Sequence, residues 1–139
     1  MGYYVSARVV YGYQFDESYI DWDHFKKKYS DAIRKDPYYT IPEDEEIDED
    51  YFRDYLISEV AKKYWNMAYC EGYQCEDGGV LGTVVWESEE YANFIDPEVF
   101  SSIPLSDEEI KELSDLYDEL LPDLADQKKL GFYVMLDYS

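Results

Sequence analysis

Both ends of the chain alternate. Residues 3 to 15 put Tyr3, Val5, Ala7, Val9, Tyr11, Tyr13 and Phe15 on one face and Tyr4, Ser6, Arg8, Val10, Gly12 and Gln14 on the other. Residues 130 to 138 repeat the pattern with Leu130, Phe132, Val134, Leu136 and Tyr138. Successive side chains of a strand point to opposite faces, so a period of two predicts half-buried strands at both ends. Gly12 predicts a bulge or a place where another backbone comes close.

Between these strands the period changes. Asp21 caps a predicted helix whose apolar positions Trp22, Phe25, Tyr29, Ala32 and Ile33 recur at three and four, while Lys26, Lys27, Lys28, Arg34 and Lys35 form its basic face. That face reads as a solvated helix surface, with cations suited to the C-terminal dipole. Asp36-Pro37 ends the helix, and residues 38 to 42 are an extended connector. A second helix, capped by Asp48 or Asp50, is expected through about Tyr69, with Phe52, Leu56, Val60 and Tyr64 on one stripe widened by Tyr55, Ala61, Trp65 and Ala68. Gly72 ends it, unless Tyr69 to Cys75 turns back as a short strand through Asp77-Gly78-Gly79.

Val80 to Trp86 is β-branched and nearly continuous in apolar character, which suits an inner strand. Short helical starts are expected at Ser88-Glu89-Glu90-Tyr91 and Asp96-Pro97-Glu98. Ser106 and Glu109 spell a capping box ahead of Ile110, Leu113, Tyr117, Leu120, Leu121 and Leu124, so a third helix follows, with a kink or a fresh turn at Pro122. The order predicts an α+β fold: a three- to four-stranded, mostly antiparallel sheet with two or three main helices packed on one face. At 139 residues, 1–139 is expected to form a single domain that buries about two thirds of its unfolded surface.

Charge dominates the surface. Asp and Glu number 33 against 12 Lys and Arg, a net charge of −21. Acidic disordered chains are poor in aromatics, whereas this one has 17 Tyr, 6 Phe and 3 Trp to bury, so it is expected to fold. A globule of this length is roughly 37 Å across, and the same length of duplex DNA carries roughly 22 phosphates. The two charge densities match. The excess peaks in Glu43, Asp44, Glu45, Glu46, Asp48, Glu49 and Asp50, running into Tyr51 and Tyr55. One or two carboxylates suffice to cap a helix and complement its dipole. The remainder repel one another within a screening length of about 8 Å, an arrangement that a basic partner relieves. The third helix adds a second acidic face of Asp107, Glu108, Glu112, Asp115, Asp118 and Glu119, relieved by Lys111.

Several chemistries lack their residues. The single histidine, His24, sits among lysines on a helix surface, so no nucleophilic triad assembles. Phosphate-cradling glycine loops are missing, and the acidic run lacks the glycine and spacing of an EF-hand. Cys70 and Cys75 are two thiols without further ligands, short of a zinc site and read as reduced. No catalytic residue, metal or cofactor is assigned. No apolar run is long enough to span a bilayer, and the N-terminus has no basic, apolar signal pattern, so a cytoplasmic protein is expected. Net charge of this sign repels anionic membranes and phosphate, which argues against membrane or direct nucleic-acid binding.

The expected function is therefore a non-enzymatic inhibitor that presents carboxylates to the groove of a basic nucleic-acid-binding protein, such as a nuclease or defence effector. The run 43–50 with Tyr51 and Tyr55, and the acidic face of the third helix, are its expected contact residues. Tyr38, Tyr39 and Tyr117 are further candidate anchors. In charge, length and tyrosine content, though in no motif, the chain resembles the small acidic DNA-mimic proteins of phages and mobile elements, which block restriction enzymes, CRISPR effectors or other DNA-binding proteins; nuclease immunity proteins are a neighbouring possibility. The alternative is a small-molecule binder or small enzyme with a pocket lined by Trp65, Trp86 and Tyr133.

Overall fold

The computed structural model describes residues 5–68, 78–88 and 94–138. Four strands, β1 (Val5–Asp16), β2 (Trp65–Met67), β3 (Gly78–Glu87) and β4 (Leu130–Tyr138), form one antiparallel sheet in the order β2-β3-β1-β4. Three main helices, α1 (Trp22–Lys35), α2 (Glu49–Tyr55) and α3 (Asp107–Leu120), complete the α+β fold. The chain divides into two compact units, one made of residues 1–20 and 63–139, the other of residues 21–62.

In the first unit, the two alternating ends of the chain meet. β1 pairs with β4 from Val5–Tyr138 to Tyr13–Leu130, and β3 lies on its other side, inside the sheet as its apolar run predicts. The β1–β3 register steps between Val9–Trp86 and Val10–Val84, a bulge at the β3 end. Gly12 is not the bulge but the close approach. It faces Gly82, and a Cβ built on Gly12 would lie 2.6 Å from the Gly82 Cα, inside any real contact. Gly131 continues the row on β4, where a Cβ would meet nothing within 4 Å.

One sheet face carries Tyr11, Tyr13 and Phe15, and α3 packs on it. The Tyr13 and Tyr117 rings stand 5.6 Å apart, and the Tyr117 hydroxyl donates to the Gln14 carbonyl at 3.1 Å. Leu113, Tyr117, Leu120 and Leu121 are fully buried, as the three-and-four spacing requires. The capping box is present in both directions, with Glu109 N–H donating to the Ser106 hydroxyl and Ser106 N–H to the Glu109 carboxylate. These bonds hold the Glu109 carboxyl below its ordinary range. Pro122 starts a fresh 3-10 turn through Gln127, and Pro97–Phe100 is another, capped by Asp96. The opposite sheet face has a smaller cluster of Val10, Val80 and Met135, with Ala68 and Tyr133 against it.

The second helix is shorter than its pattern predicts. It passes into a single π-helical turn, Leu56–Val60, closed by Ala61 N–H donating to the Leu56 carbonyl at 2.7 Å, and does not reach Tyr69. Trp65, Asn66 and Met67 instead pair with Leu81, Val80 and Gly79 as β2. Asn66 pins that strand, its side-chain amide donating to the Tyr64 and Gly82 carbonyls at 3.1 and 3.0 Å. The Trp65 ring lies 5.2 Å from that of Phe15, tilted by 55°. Pairing partners distant in sequence outweigh a local helical period here. The predicted strand over 69–75, Cys70 and Cys75, and the helical start at 89–91 lie outside the described residues.

Tyr64 is buried, yet its hydroxyl has no hydrogen-bond partner among the described residues. Burial first, and then Glu112 and Glu109, push its pKa up. An unsatisfied buried hydroxyl is a net cost, so Tyr64→Phe is expected to raise stability by about 1 kcal/mol, read from the urea midpoint at unchanged m. A fall in the midpoint would mean that the hydroxyl is satisfied.

In the second unit, Asp21 caps α1 by accepting from His24 N–H at 3.1 Å, and the helix ends at Asp36 ahead of Pro37. Phe25 and Ile33 are buried, and Phe25 packs edge-on to Phe52 of α2 with centroids 6.5 Å apart. Ala32, placed on the apolar face by spacing, is exposed.

Candidate functional site

The acidic run lies wholly in the helical unit. Glu45 N–H donates to the Pro42 carbonyl at 3.1 Å, closing a turn, and Asp48 caps α2 by accepting from Asp50 N–H at 2.9 Å. The basic face of α1 fastens the run. Arg34 donates to the main-chain carbonyl of Glu45 at 2.9 Å, and Lys26 pairs with Glu49 at 2.7 Å. Arg34 thus holds the backbone of the run without spending a carboxylate. Glu43, Asp44, Glu45, Glu46, Asp48 and Asp50 are exposed and form no ion pair among the described residues. Glu49 is the exception.

Beneath the run is a platform of phenols. Tyr39 is buried, with Tyr38 5.0 Å, Tyr51 5.3 Å and Tyr55 6.3 Å from its ring, and Tyr29 lies 5.7 Å from Tyr55. The Tyr39 hydroxyl donates to Asp54 at 2.7 Å. Two of the candidate anchors are therefore core residues, since Tyr39 is 6% and Tyr117 2% exposed. Tyr117 occupies the apolar stripe of α3, and Tyr39 is drawn inward by Asp54 and its ring neighbours. Tyr38 and Tyr51 are exposed, at 78% and 38%, and Tyr55 is half-buried. Thr40 takes φ 42°, a left-handed conformation that costs a β-branched residue energy and that the surrounding contacts must hold. A cleft of about 520 Å³ opens there, lined by Tyr39, Pro42, Glu45, Glu46, Asp48 and Tyr51 among others.

Burial, helped by the bond to Asp54, pushes the Tyr39 phenol up to about 12. The sign follows directly. An unfolded tyrosine near pH 10 loses its proton before the folded one does, so the contribution is complete below pH 10 and is lost as pH rises from 10 towards 12. The helical unit is expected to weaken over that window, with Tyr39 ionising towards pH 12 in an absorbance titration, and Tyr39→Phe should flatten the loss. Unchanged pH dependence in that variant would remove Tyr39 as the cause.

The acidic face of α3 lies in the other unit. Asp107, Glu108, Glu112 and Asp115 are exposed and without ion pairs among the described residues. Asp118 is neutralised by Lys128 at 2.5 Å, and Glu119 is half-buried. Lys128 also donates to the Ser114 hydroxyl at 2.5 Å and lies over the rings of Tyr13 and Tyr117. Lys128 thereby ties Ser114 and Asp118 of α3 to the strand that carries Tyr13.

One cavity in the sheet unit, about 350 Å³, is lined by Gln14, Phe15, Asp16, Gly78, Tyr117, Leu124 and Gln127; Trp65, Trp86 and Tyr133 are not among the residues that line this one. Asp16 there is held below the ordinary carboxylate range by the Ser18 hydroxyl and N–H. No cluster of metal-ligating side chains occurs among the described residues, and no helix among them is long and apolar enough to cross a membrane. Sequence reasoning missed the holders Arg34, Lys26 and Asp54; a basic helix face followed by an acidic run was the available signal. Compared with known proteins, the chain matches no family model, no curated protein and no solved structure.

Proposed function

We propose that this protein inhibits a basic nucleic-acid-binding protein, such as a nuclease or a defence effector of the kind that cuts foreign DNA, by occupying its groove with fixed carboxylates. The observation that carries the reading is the mounting of the run 43–50. Its backbone is tied by Arg34, the Pro42 turn and the Asp48 cap, while six of its carboxylates remain exposed and unpaired among the described residues. A rigid array costs a partner less ordering entropy than a mobile tail of the same charge. The cleft beside Tyr39 and Tyr51 offers carboxylates and ring faces together, which suits a lysine or arginine side chain. The face Asp107, Glu108, Glu112 and Asp115 is a second surface of the same chemistry.

The test is affinity capture from a lysate at low and high salt. A basic DNA- or RNA-binding protein should be retained at low salt and released as salt rises, and its nuclease or DNA-binding activity should fall when the acidic protein is added. Retention of proteins without a basic groove, or binding insensitive to salt, would count against the reading.

A further inference from the structure

β4 is an edge strand. It pairs with β1 on one side and has no partner strand on the other among the described residues. Edge strands are ordinarily blunted by lysine, proline or a bulge, because their free N–H and C=O groups template pairing with another chain. Leu130-Gly131-Phe132-Tyr133-Val134-Met135-Leu136-Asp137-Tyr138 has none of these devices. Two of its apolar side chains, beyond the part of the sheet face that carries Tyr11 and Tyr13, are exposed as well. Val134 is 65% and Leu136 41% exposed, and exposed Phe100 stands edge-on to Phe132 at 5.1 Å.

We propose that this edge pairs with β4 of a second copy of the chain, antiparallel about a two-fold axis at Tyr133, making one sheet continuous through two molecules. The sequence of the strand is complementary to itself in that register. Phe132 falls opposite Val134 of the second copy and Leu130 opposite Leu136, so apolar side chains meet on one face. At both ends the exposed Lys129 falls opposite Asp137, giving two reciprocal ion pairs in addition to the 3.4 Å pair that Asp137 makes with Arg8. A basic partner has little to recognise here, since Asp137 is the strand's one carboxylate. For a chain of net charge −21, β4 is a strip where two copies meet without opposing carboxylates.

A strand of this length is about 30 Å long and covers a few hundred Å² per copy, below the roughly 800 Å² per partner of a stable interface. The dimer is therefore weak and concentration-dependent. Salt should strengthen it, because the repulsion between two highly charged bodies is screened as the Debye length falls from about 10 Å at 0.1 M to about 3 Å at 1 M. Binding to a basic partner responds to salt in the opposite sense, so failure of one proposal is distinguishable from failure of the other.

Sedimentation velocity of the full chain, over about a hundredfold range of concentration reaching several hundred micromolar, supplies the test. The expected result is a monomer–dimer equilibrium at least about fivefold tighter in 0.5 M than in 0.05 M sodium chloride. Val134→Lys and Leu136→Lys, both at exposed positions and checked for folding by circular dichroism, should each weaken it about tenfold or more, and Lys129→Glu should weaken it less. A monomer at every concentration in 0.5 M salt overturns the proposal and leaves the edge to a strand of another protein. A dimer indifferent to both lysine variants overturns it too.

Discussion

Gly12→Ala is expected to cost the sheet about 3 kcal/mol or more, a large share of the roughly 5 to 15 kcal/mol that holds a domain folded, whereas Gly131→Ala should be tolerated. The two glycines face each other across β1 and β4, so the contrast isolates one cause. An alanine methyl at Gly12 meets the Leu81 carbonyl and the Gly82 Cα, and one at Gly82 lies 2.7 Å from the Gly12 Cα. Backbone cannot rotate out of the way as a side chain can, so relief requires the inner strands β1 and β3 to separate. At Gly131 the methyl enters open space. Gly82→Ala should behave like Gly12→Ala, and the double variant should cost less than the sum of the singles, since one separation relieves both clashes. Urea denaturation of all four variants decides it. A Gly12→Ala protein as stable as the parent would mean that the strands do not approach so closely.

Reversing charge at Glu45, Glu46, Asp48 and Asp50 is expected to weaken binding of the captured basic protein by about 100-fold or more, equivalent to about 2.7 kcal/mol. Four reversals shift the net charge of −21 by roughly eight units, which slows long-range association. The larger effect is local, since like charges then face one another across the contact. The same substitutions should cost little stability, because Glu45, Glu46 and Asp50 are exposed and free of ion pairs among the described residues; Asp48 alone caps a helix, at about 1 kcal/mol. Parallel reversal at Glu108, Glu112 and Asp115 shows whether the second acidic face shares the contact. Affinity and melting temperature measured together separate lost contact from lost fold. If the fourfold variant binds as tightly as the parent, the run is not the contact surface.

The features legible in the sequence were those decided within a few residues. The Asp21 cap, the Ser106–Glu109 box and the two alternating strands each need only their own neighbours, and all are present. The stripe Phe52–Leu56–Val60–Tyr64 misled because a helical period says nothing about a competing partner; β2 exists through Gly79, Val80 and Leu81, beyond the reach of any local window. Tyr38 and Tyr39 show the same limit at single-residue scale. They are adjacent in a proline-flanked connector with no period to sort them, yet one is exposed and the other buried on Asp54. Tyr117 could have been sorted, since its place between Leu113 and Leu120 already assigns it to the core. The acidic run was plain from composition, but its attachment was not, because Arg34 grips a carbonyl and not a carboxylate.

The pairing of β1 with β3 and β4 also sets a problem of timing. β1 leaves the ribosome before its partners, which emerge roughly 60 to 120 residues later, a delay on the order of 3 to 24 s at ordinary rates of synthesis. Residues 21–62, whose contacts are largely with one another, are complete in the interval. Meanwhile a tyrosine- and valine-rich strand waits unpaired on a growing chain, with neighbouring nascent copies on the same message. The intervening segment carries much of the chain's excess of carboxylate, and like charge on two unfinished copies opposes their contact while the strand waits.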